Sequence, residues 1–338
     1  MAKKVIILTN LGSPDSTSTK DLKKYLNEFL MDERVIDLPK FLRTLLVKGI
    51  VVPIRASKSA KKYKSIWTDE GSPLVVTTDK LAKKVQSYSN LPTYVCMRYG
   101  SRSPLDILTK IQADNPDLEE LVLLPLYPHY AMSSYESAVV HVQSAYHKLD
   151  MNSKFKVVKP FYNNNDYIKN IAESIKPFLG KRYDHILFSY HGIPVRHVKK
   201  TDVTKNHCFT CENCCDVKSE AHKTCYRHQV RVTTNLVANE LKIQSDQYSI
   251  SFQSRLGTDE WLSPNTSDVL KKMPANGIKN LLVISPAFVS DCLETLEELH
   301  MDEKRNFLES GGESFHVIPC LNTNRDWIET VGSLILSA

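Results

Sequence analysis

Short apolar runs alternate with helix-period segments along almost the whole chain. Apolar runs bounded by Gly, Pro, Asn or Ser are typical of buried strands. They predict strands at 5–8, 93–97, 121–124, 184–188, 248–252, 280–285 and 317–321. Apolar residues spaced three and four apart predict helices at 20–30, 40–51, 74–88, 107–114, 135–149, 225–241, 291–309 and 325–337, the second of them ending before Pro53. This alternation predicts an α/β fold with a mostly parallel, doubly wound sheet in each half.

A chain of 338 residues is longer than one compact core usually allows. We therefore expect an N-terminal domain over 1–165 and a C-terminal domain over 166–338, the second carrying a polar, cysteine-bearing insert at 197–225. The composition, 42% hydrophobic and 24% charged, excludes a disordered chain. The absence of a Gly-x-Gly-x-x-Gly fingerprint and of a Walker A loop weighs against nicotinamide and nucleotide chemistry. Because no signal segment or spanning apolar stretch is present, we expect a cytoplasmic protein.

Positive charge is concentrated in one part of the chain. The net charge is +6, and residues 20–64 hold 12 Lys or Arg against 5 Asp or Glu, a local net of +7. The same stretch contains a wide set of apolar residues, among them Leu42, Leu45, Leu46 and Ile50. Such a segment indicates either a peripheral membrane surface or anionic amphipathic ligand, or a solvated charged face over an ordinary helix. Nucleic acid is less expected, because stacking aromatics are not interleaved with the basic residues.

A histidine follows directly after a predicted buried strand. His191 lies in the segment SYHGIP at 189–194, and Gly192 and Pro194 turn the chain after it. In open α/β sheets, ligands bind at the carboxyl ends of the strands. An imidazole with a pKa near ~6.5 is a natural proton acceptor at neutral pH. The local sequence allows equally a catalytic base and a hydrogen-bonded structural histidine.

Three carboxylates follow the strand predicted at 280–285. Asp291, Glu294 and Glu298 are spaced i, i+3 and i+7, which places them on one face of a helix. Crowded carboxylates that share a cation or a proton can serve in metal handling or proton transfer. The alternative is ordinary, because acidic residues are favoured in the first turn of any helix.

Five cysteines fall within the polar insert. They are Cys208, Cys211, Cys214, Cys215 and Cys225, with His207, His222 and His228 as competing ligands nearby. In a reducing compartment, this clustering indicates a metal or iron–sulfur site rather than disulfides. Four thiolates suffice for zinc or for a [2Fe–2S] cluster, so one cysteine is spare. The spacing does not separate zinc from iron–sulfur.

Taken together, these motifs resemble the ferrochelatase family, whose members insert ferrous iron into protoporphyrin IX to make protohaem. The segments that carry the resemblance cover nearly the whole chain. They are LTNLGSP at 8–14, ERVIDLP at 33–39, GSPL at 71–74, MRYG at 97–100, LPLYP at 124–128, SYHGIP at 189–194, FQSR at 252–255 and DCLETLEE at 291–298.

The resemblance implies two Rossmann-like domains with a porphyrin cleft between them. It assigns catalysis to His191, Glu294 and Glu298, with His191 and Glu294 also meeting the substrate iron and Asp291 alongside. Further positions are implied to line the cleft, to hold it together or to form an apolar lip over the macrocycle. They are Leu11, Phe29, Leu30, Met31, Tyr63, Ser72, Arg98 and Tyr99.

The chain departs from the family pattern at two places. Cys292 stands where some members have histidine, and no cysteine cluster precedes the C-terminal Ala338. The chain resembles instead the bacterial members with an internal cysteine-rich insert, which implies a [2Fe–2S] cluster. The favoured ligands are Cys208, Cys211, Cys225 and one of Cys214 and Cys215.

Two other functions stay open at this point. One is a related chelatase that takes another metal, such as cobalt, or another tetrapyrrole, such as coproporphyrin. The other is a non-catalytic haem or iron–sulfur sensor on the same scaffold. The trio His191, Glu294 and Glu298 favours an enzyme, since a sensor does not need it.

Overall fold

The computed structural model describes residues 2–255, 257 and 259–338, and the chain divides into two compact units. The first comprises Met1–Leu126, Met132–Lys159 and Asn322–Ala338, and the second comprises Tyr127–Ala131 and Pro160–Leu321. This division differs from the predicted boundary after residue 165, chiefly because the C-terminal segment belongs to the first unit.

The first unit is built on a four-stranded parallel sheet of order β2-β1-β3-β4. Val5 pairs with Leu121 and Ile7 pairs with Tyr94, so β1 is bonded on both sides. The strands are β1 (Lys4–Ser13), β2 (Thr93–Gly100), β3 (Glu120–Pro125) and β4 (Lys154–Val157). The helices are α1 (Thr19–Leu30), α2 (Lys40–Thr44), α3 (Val52–Ile66), α4 (Pro73–Ser89), α5 (Pro104–Asp114), α6 (Ser137–Lys148) and α12 (Arg325–Leu336), with π-helical turns at Leu45–Val51 and Met132–Glu136.

The second unit repeats this topology, with a parallel sheet of order β6-β5-β7-β8. The strands are β5 (His185–His191), β6 (Tyr248–Gln253), β7 (Asn280–Ile284) and β8 (Ser314–Val317). The helices are α7 (Asn165–Leu179), α8 (Val195–Thr201), α9 (Tyr226–Leu241), α10 (Thr266–Lys272) and α11 (Lys304–Glu309). A π-helical segment, Glu294–Glu303, leads into α11, and short 3₁₀ turns lie at Glu220–Lys223 and Pro274–Asn276. Two parallel sheets with covering helices confirm the predicted α/β, two-domain fold.

The central strands explain why the strand predictions succeeded. Residues 5–8 of β1, 121–124 of β3 and 186–188 of β5 are fully buried, as continuous apolar runs in parallel sheets require. The last strand was predicted at 317–321, but β8 ends at Val317. It does not continue, because Pro319 lacks the N–H that a longer strand would need. Strand β4 and helices α3, α7, α8 and α10 were not predicted. In β4 two lysines flank Phe155, so the apolar run that marks a buried strand is missing.

Pro53 does not end the second helix, so that prediction was wrong. The helical chain passes from α2 through the π segment Leu45–Val51 into α3. The Val52 N–H bonds to the Val47 carbonyl, which closes the wide turn. Pro53 then occupies the first turn of α3, where a helix does not need the backbone N–H that proline lacks.

Helix α12 packs inside the first unit because its sequence fits α4 closely. Trp327, Val331 and Ile335 of α12 are fully buried. A side chain at Gly332 would place its Cβ 2.5 Å from the ring of Tyr88 on α4, so glycine permits the two helices to approach. Sequence periodicity predicts that α12 is a helix but carries no information about its partner.

Candidate active site and cysteine segment

His191 is the last residue of β5, at the carboxyl edge of the second sheet, and it is half-buried. Its Nδ1 lies 2.6 Å from the Gly192 carbonyl oxygen. Because a carbonyl only accepts, Nδ1 donates this hydrogen bond and the neutral ring keeps its lone pair on Nε2. The Phe288 ring, from the loop after β7, meets the imidazole edge-on at 6.4 Å between centroids. This geometry suits a proton acceptor.

Gly192 is needed for a close backbone approach. Its N–H donates to the Gln253 carbonyl over 2.7 Å, which continues the pairing of β5 with β6. A Cβ at this position would lie 3.0 Å from the carbonyl oxygens of both Gln253 and Ser254. The glycine after the histidine therefore keeps the two strand ends side by side.

The predicted carboxylate helix is divided between a loop and a π-helical segment. Glu294 and Glu298 both lie in the segment Glu294–Glu303, four residues apart and both partly buried. Asp291 precedes the helix, so the prediction that all three acids share one helix face was wrong. The reason is a cap at the helix start: the Thr295 hydroxyl donates to the Asp291 carboxylate and accepts from the Cys292 N–H.

Glu298 is hydrogen-bonded to the carboxyl edge of the second sheet, near His191. The Ser254 hydroxyl donates to its carboxylate over 2.9 Å. Ser254 directly follows Gln253, the residue of β6 that pairs with His191. Ser254 has a φ of 62°, a left-handed conformation that is unusual for serine and is found preferentially at functional sites. The structure thus ties one of the predicted acids to the strand end next to the predicted base.

Two thiols accompany the other two acids, the buried Cys292 and the partly exposed Cys320. Burial, reinforced by the charge of Glu294, raises the pKa of Cys292 well above its usual range. Burial and the charge of Asp291 do the same for Cys320. Cys292, the position that departs from the family pattern, is therefore a neutral donor beside Glu294.

In the first unit, Asp32 is the centre of a buried polar network that the sequence did not predict. Its carboxylate accepts hydrogen bonds from Arg98 over 2.5 Å and from the Tyr99 hydroxyl over 2.7 Å, and it also binds the Ser137 hydroxyl. The Arg34 N–H donates to its other oxygen. Burial alone would raise the pKa of Asp32, but these hydrogen bonds and the Arg98 charge lower it below the usual range.

The substrate-contacting residues implied by the resemblance differ in exposure. Leu11, Phe29, Met31 and Arg98 are partly exposed. The others lie in the interior: Leu30 is 2% exposed, Tyr63 7%, Ser72 5% and Tyr99 0%.

The buried members of this set hold the surrounding structure together. The Tyr99 ring packs edge-on against Phe29 at 5.0 Å, and the Ser72 hydroxyl donates to Ser13 over 2.7 Å. Tyr63 packs edge-on against Tyr25 at 6.3 Å. Within the first unit, the partly exposed side chains are the ones available to a ligand.

Three of the five insert cysteines form a buried thiol group. The Cys225 thiol lies beside those of Cys208 and Cys215, and its interaction with Cys208 is the main reason that the pKa of Cys225 rises to about 12. Cys214 is directed elsewhere, toward the Phe209 N–H and Arg227, and Cys211 is exposed. Over the described residues, no three His, Cys, Asp or Glu side chains are arranged so that they could hold a metal ion.

The histidines of the insert support its backbone. His207 and His222 both place Nε2 on the Cys214 carbonyl, at 2.7 and 3.2 Å, and His228 places Nδ1 on the Cys215 carbonyl at 2.8 Å. The rings of His222 and His228 stack at 3.6 Å. Because carbonyls accept, these nitrogens act as donors here.

The topology defines an α/β protein of two units, each built on a four-stranded parallel sheet. A solved structure described as SirB from Bacillus subtilis with Fe³⁺ has the same fold, with a TM-score of 0.56, 8% identity, and coverage of 99% of this chain and 95% of that one. The chain matches the family described as Ferrochelatase over residues 3–338. It is 44% identical to a ferrochelatase of Opitutus terrae over 338 residues, which cover 99% of this chain and 97% of that protein. It is 41% identical to a ferrochelatase of Pseudomonas entomophila over 340 residues, which cover 100% of both chains. The chain therefore belongs to the ferrochelatase family.

Proposed function

We propose that this protein inserts ferrous iron into protoporphyrin IX, forming protohaem as the last step of haem biosynthesis. Insertion of Fe²⁺ requires the two pyrrole N–H protons to leave, so that the doubly charged metal meets a porphyrin dianion. The reaction therefore needs a base that reaches the macrocycle and a polar route for the metal and the released protons. Family membership and the arrangement at the edge of the second sheet both support this function.

In this proposal, His191 accepts the first pyrrole proton on Nε2. The observation that carries the assignment is the hydrogen bond from Nδ1 to the Gly192 carbonyl, since it leaves the Nε2 lone pair for the substrate. Glu294 and Glu298 pass protons or iron along the acidic segment. Ser254 donates to Glu298 and orients that carboxylate, and the neutral thiol of Cys292 lies beside Glu294.

Substrate binding is assigned to the partly exposed residues that the resemblance implies. Phe29 and Met31 offer apolar surface to the macrocycle, and Arg98 is held in a fixed orientation by Asp32. Binding the remote edges of a flat macrocycle can supply the few kcal/mol, roughly 1–5, that distortion toward the transition state requires. Leu11, at the end of β1, completes the partly exposed apolar set.

A metallation assay tests the proposal. Purified protein, protoporphyrin IX and Fe²⁺ are mixed without oxygen, and loss of porphyrin fluorescence is followed together with the appearance of haem absorption. Parallel reactions with Co²⁺ and with coproporphyrin test the related chelatases. Binding of haem or porphyrin without turnover of any metal would identify a sensor and refute the enzyme.

We further propose that the cysteine segment holds a [2Fe–2S] cluster. The chemistry of the donors supports this proposal, because soft thiolates suit iron–sulfur clusters and the buried thiols of Cys208, Cys215 and Cys225 interact with one another. The exposed Cys211 completes the set of four, and Cys214 is the spare. No step of metal insertion requires an electron, so we assign the cluster a structural or sensing role.

The spectrum of anaerobically purified protein tests the cluster. We expect a reddish-brown protein, with iron and acid-labile sulfide in equal amounts. Cys225→Ser should bleach it, whereas the matched Cys214→Ser variant should keep its colour. Colourless, fully active wild-type protein containing one zinc would refute the cluster and leave the chelatase function untouched.

We also propose peripheral attachment to an anionic membrane through the segment 40–64. Five large apolar residues are exposed on it: Phe41 at 78%, Leu42 at 48%, Leu45 at 60%, Ile50 at 52% and Ile54 at 72%. Exposed lysines surround them, and apolar contact combined with positive charge is what binds peripheral proteins to anionic lipid. Within the described part of the chain, no helix is both long and apolar enough to span a membrane.

Vesicle flotation tests this attachment. With phosphatidylglycerol-containing vesicles, the protein should float at low salt and be released as salt increases. Salt screens the attraction between the lysines and the anionic lipid, and at 0.1 M this attraction extends over only about 10 Å. The double substitution Phe41→Ser with Ile54→Ser should abolish flotation. The control Leu336→Ser removes an apolar side chain elsewhere that is also largely exposed, at 59%, and should float normally. Sedimentation of the wild type without the vesicles would refute the proposal.

A further inference from the structure

A buried tyrosine hydroxyl bonds to the backbone of His191. The Tyr226 hydroxyl donates to the His191 carbonyl oxygen over 3.0 Å, and Tyr226 is 5% exposed. The bond joins the first residue of α9 to the last residue of β5, 35 positions earlier in the chain. It reaches the residue that carries the proposed base without touching the imidazole.

The strand end needs this support, because its pairing is one-sided. Strand β7 pairs with His185–Phe188 only, so among the described residues it offers no partner to His191. Strand β6 reaches His191 through Gln253 on the opposite side. A parallel strand that projects past its neighbour has fewer backbone bonds to fix it, and the phenol of Tyr226 supplies one.

Tyr226 is itself rigidly held. The buried His129 ring packs edge-on against the Tyr226 ring, with 5.9 Å between the ring centroids. The Nε2 of His129 also lies 2.9 Å from the hydroxyl of Thr233, which belongs to α9 like Tyr226. The preceding residue, Cys225, caps α9 by accepting from the His228 N–H. Tyr226 therefore stands at the junction of the cysteine segment, α9 and the end of β5.

We infer that Tyr226 is a positioning residue, which fixes the backbone of His191 and thereby the direction in which its Nε2 points. This inference rests on the proposed role of His191 as the base. Misplacement of a reacting group by about 1 Å can reduce a rate by as much as 10²-fold. Loss of the hydroxyl should therefore lower turnover while leaving substrate binding, which does not use this bond, unchanged.

The test is Tyr226→Phe, which keeps the packed ring and removes only the hydroxyl. We expect kcat for metallation to fall between about tenfold and a hundredfold, with the KM for porphyrin unchanged within about twofold. The ring signals of His191, assigned in the NMR spectrum of histidine-labelled protein by comparison with His191→Ala, should shift in the substrate-free variant.

Tyr248→Phe is the matched control, because the Tyr248 hydroxyl also bonds to α9, at Asn235, but belongs to the first residue of β6. This variant should keep wild-type kcat and wild-type His191 signals. If Tyr226→Phe keeps wild-type kcat, or loses kcat without moving the His191 signals, the positioning role is overturned. If His191→Ala also keeps wild-type kcat, the proposed base itself is wrong, which separates the two failures.

Discussion

Replacing Asp32 by alanine removes the acceptor at the centre of the buried network in the first unit. The Arg98 side chain is 14% exposed and that of Asp32 is 4% exposed, so the substitution leaves a nearly buried guanidinium without its carboxylate. Breaking a buried ion pair by removing one partner destabilises a protein by about 3–5 kcal/mol. The hydroxyls of Tyr99 and Ser137 lose their acceptor as well.

This energy converts to a large change in melting temperature. For a unit of about 150–250 residues, 1 kcal/mol changes Tm by about 2–4 °C, so Asp32→Ala should lower Tm by roughly 6–20 °C. Scanning calorimetry or circular dichroism measures it. Glu119→Ala, which breaks an exposed ion pair with Lys3 in the same unit, is the control and should leave Tm near that of the wild type.

The pH dependence of this stability has a definite sign. The pKa of Asp32 is lowered in the folded protein, so its contribution is fully present above the unfolded value of about 3.9 and is lost as the pH falls through the folded value. The Tm difference between wild type and Asp32→Asn should stay constant above about pH 5 and shrink in stronger acid.

An Asp32→Ala variant that melts within about 2 °C of wild type would refute the reasoning.

Two further predictions concern the acidic segment and the strand end. Glu294→Gln should reduce metallation strongly and Glu298→Gln less so, because the latter keeps a hydrogen bond with Ser254; equally mild effects, measured by porphyrin fluorescence, would indicate a merely structural helix. Gly192→Ala should lower both activity and Tm, since its Cβ would meet two carbonyl oxygens at 3.0 Å, whereas Gly180→Ala, with open space around it, should do neither. If Gly192→Ala keeps wild-type activity and Tm, the ends of β5 and β6 can move apart without loss of stability or activity, and the close approach is not required.

The sequence predicted the elements of this fold better than their partners. Buried parallel strands leave continuous apolar runs, and these marked β1, β3, β5 and β7. The return of α12 to the first unit depends on its fit against α4, a contact between residues far apart in the chain. Apolar spacing also does not locate the start of a helix, so the Thr295 cap that leaves Asp291 outside the helix was not foreseen.

The strand end that carries His191 was predictable in the same way, whereas the catalytic role of His191 stays a prediction. His191 could be singled out because a strand end and a glycine are both visible in the local sequence. The residues that orient the site were missed, since Asp32 meets Arg98 across 66 positions and Ser254 meets Glu298 across 44. The sequence nevertheless contained a signal for both residues. Asp32 directly follows the predicted lip residue Met31, and Ser254 lies in the segment FQSR that carries the family resemblance.

The measurement that tests the central claim most directly is anaerobic metallation of protoporphyrin IX by Fe²⁺, compared between wild type and His191→Ala. The wild type should convert the fluorescent porphyrin into haem. The variant should stay folded, with a Tm near that of the wild type, and should lose activity by about 10²–10⁴-fold, as removal of a positioned general base does. A wild type that forms no haem, or a variant that forms it at nearly the wild-type rate, would contradict this account of the site.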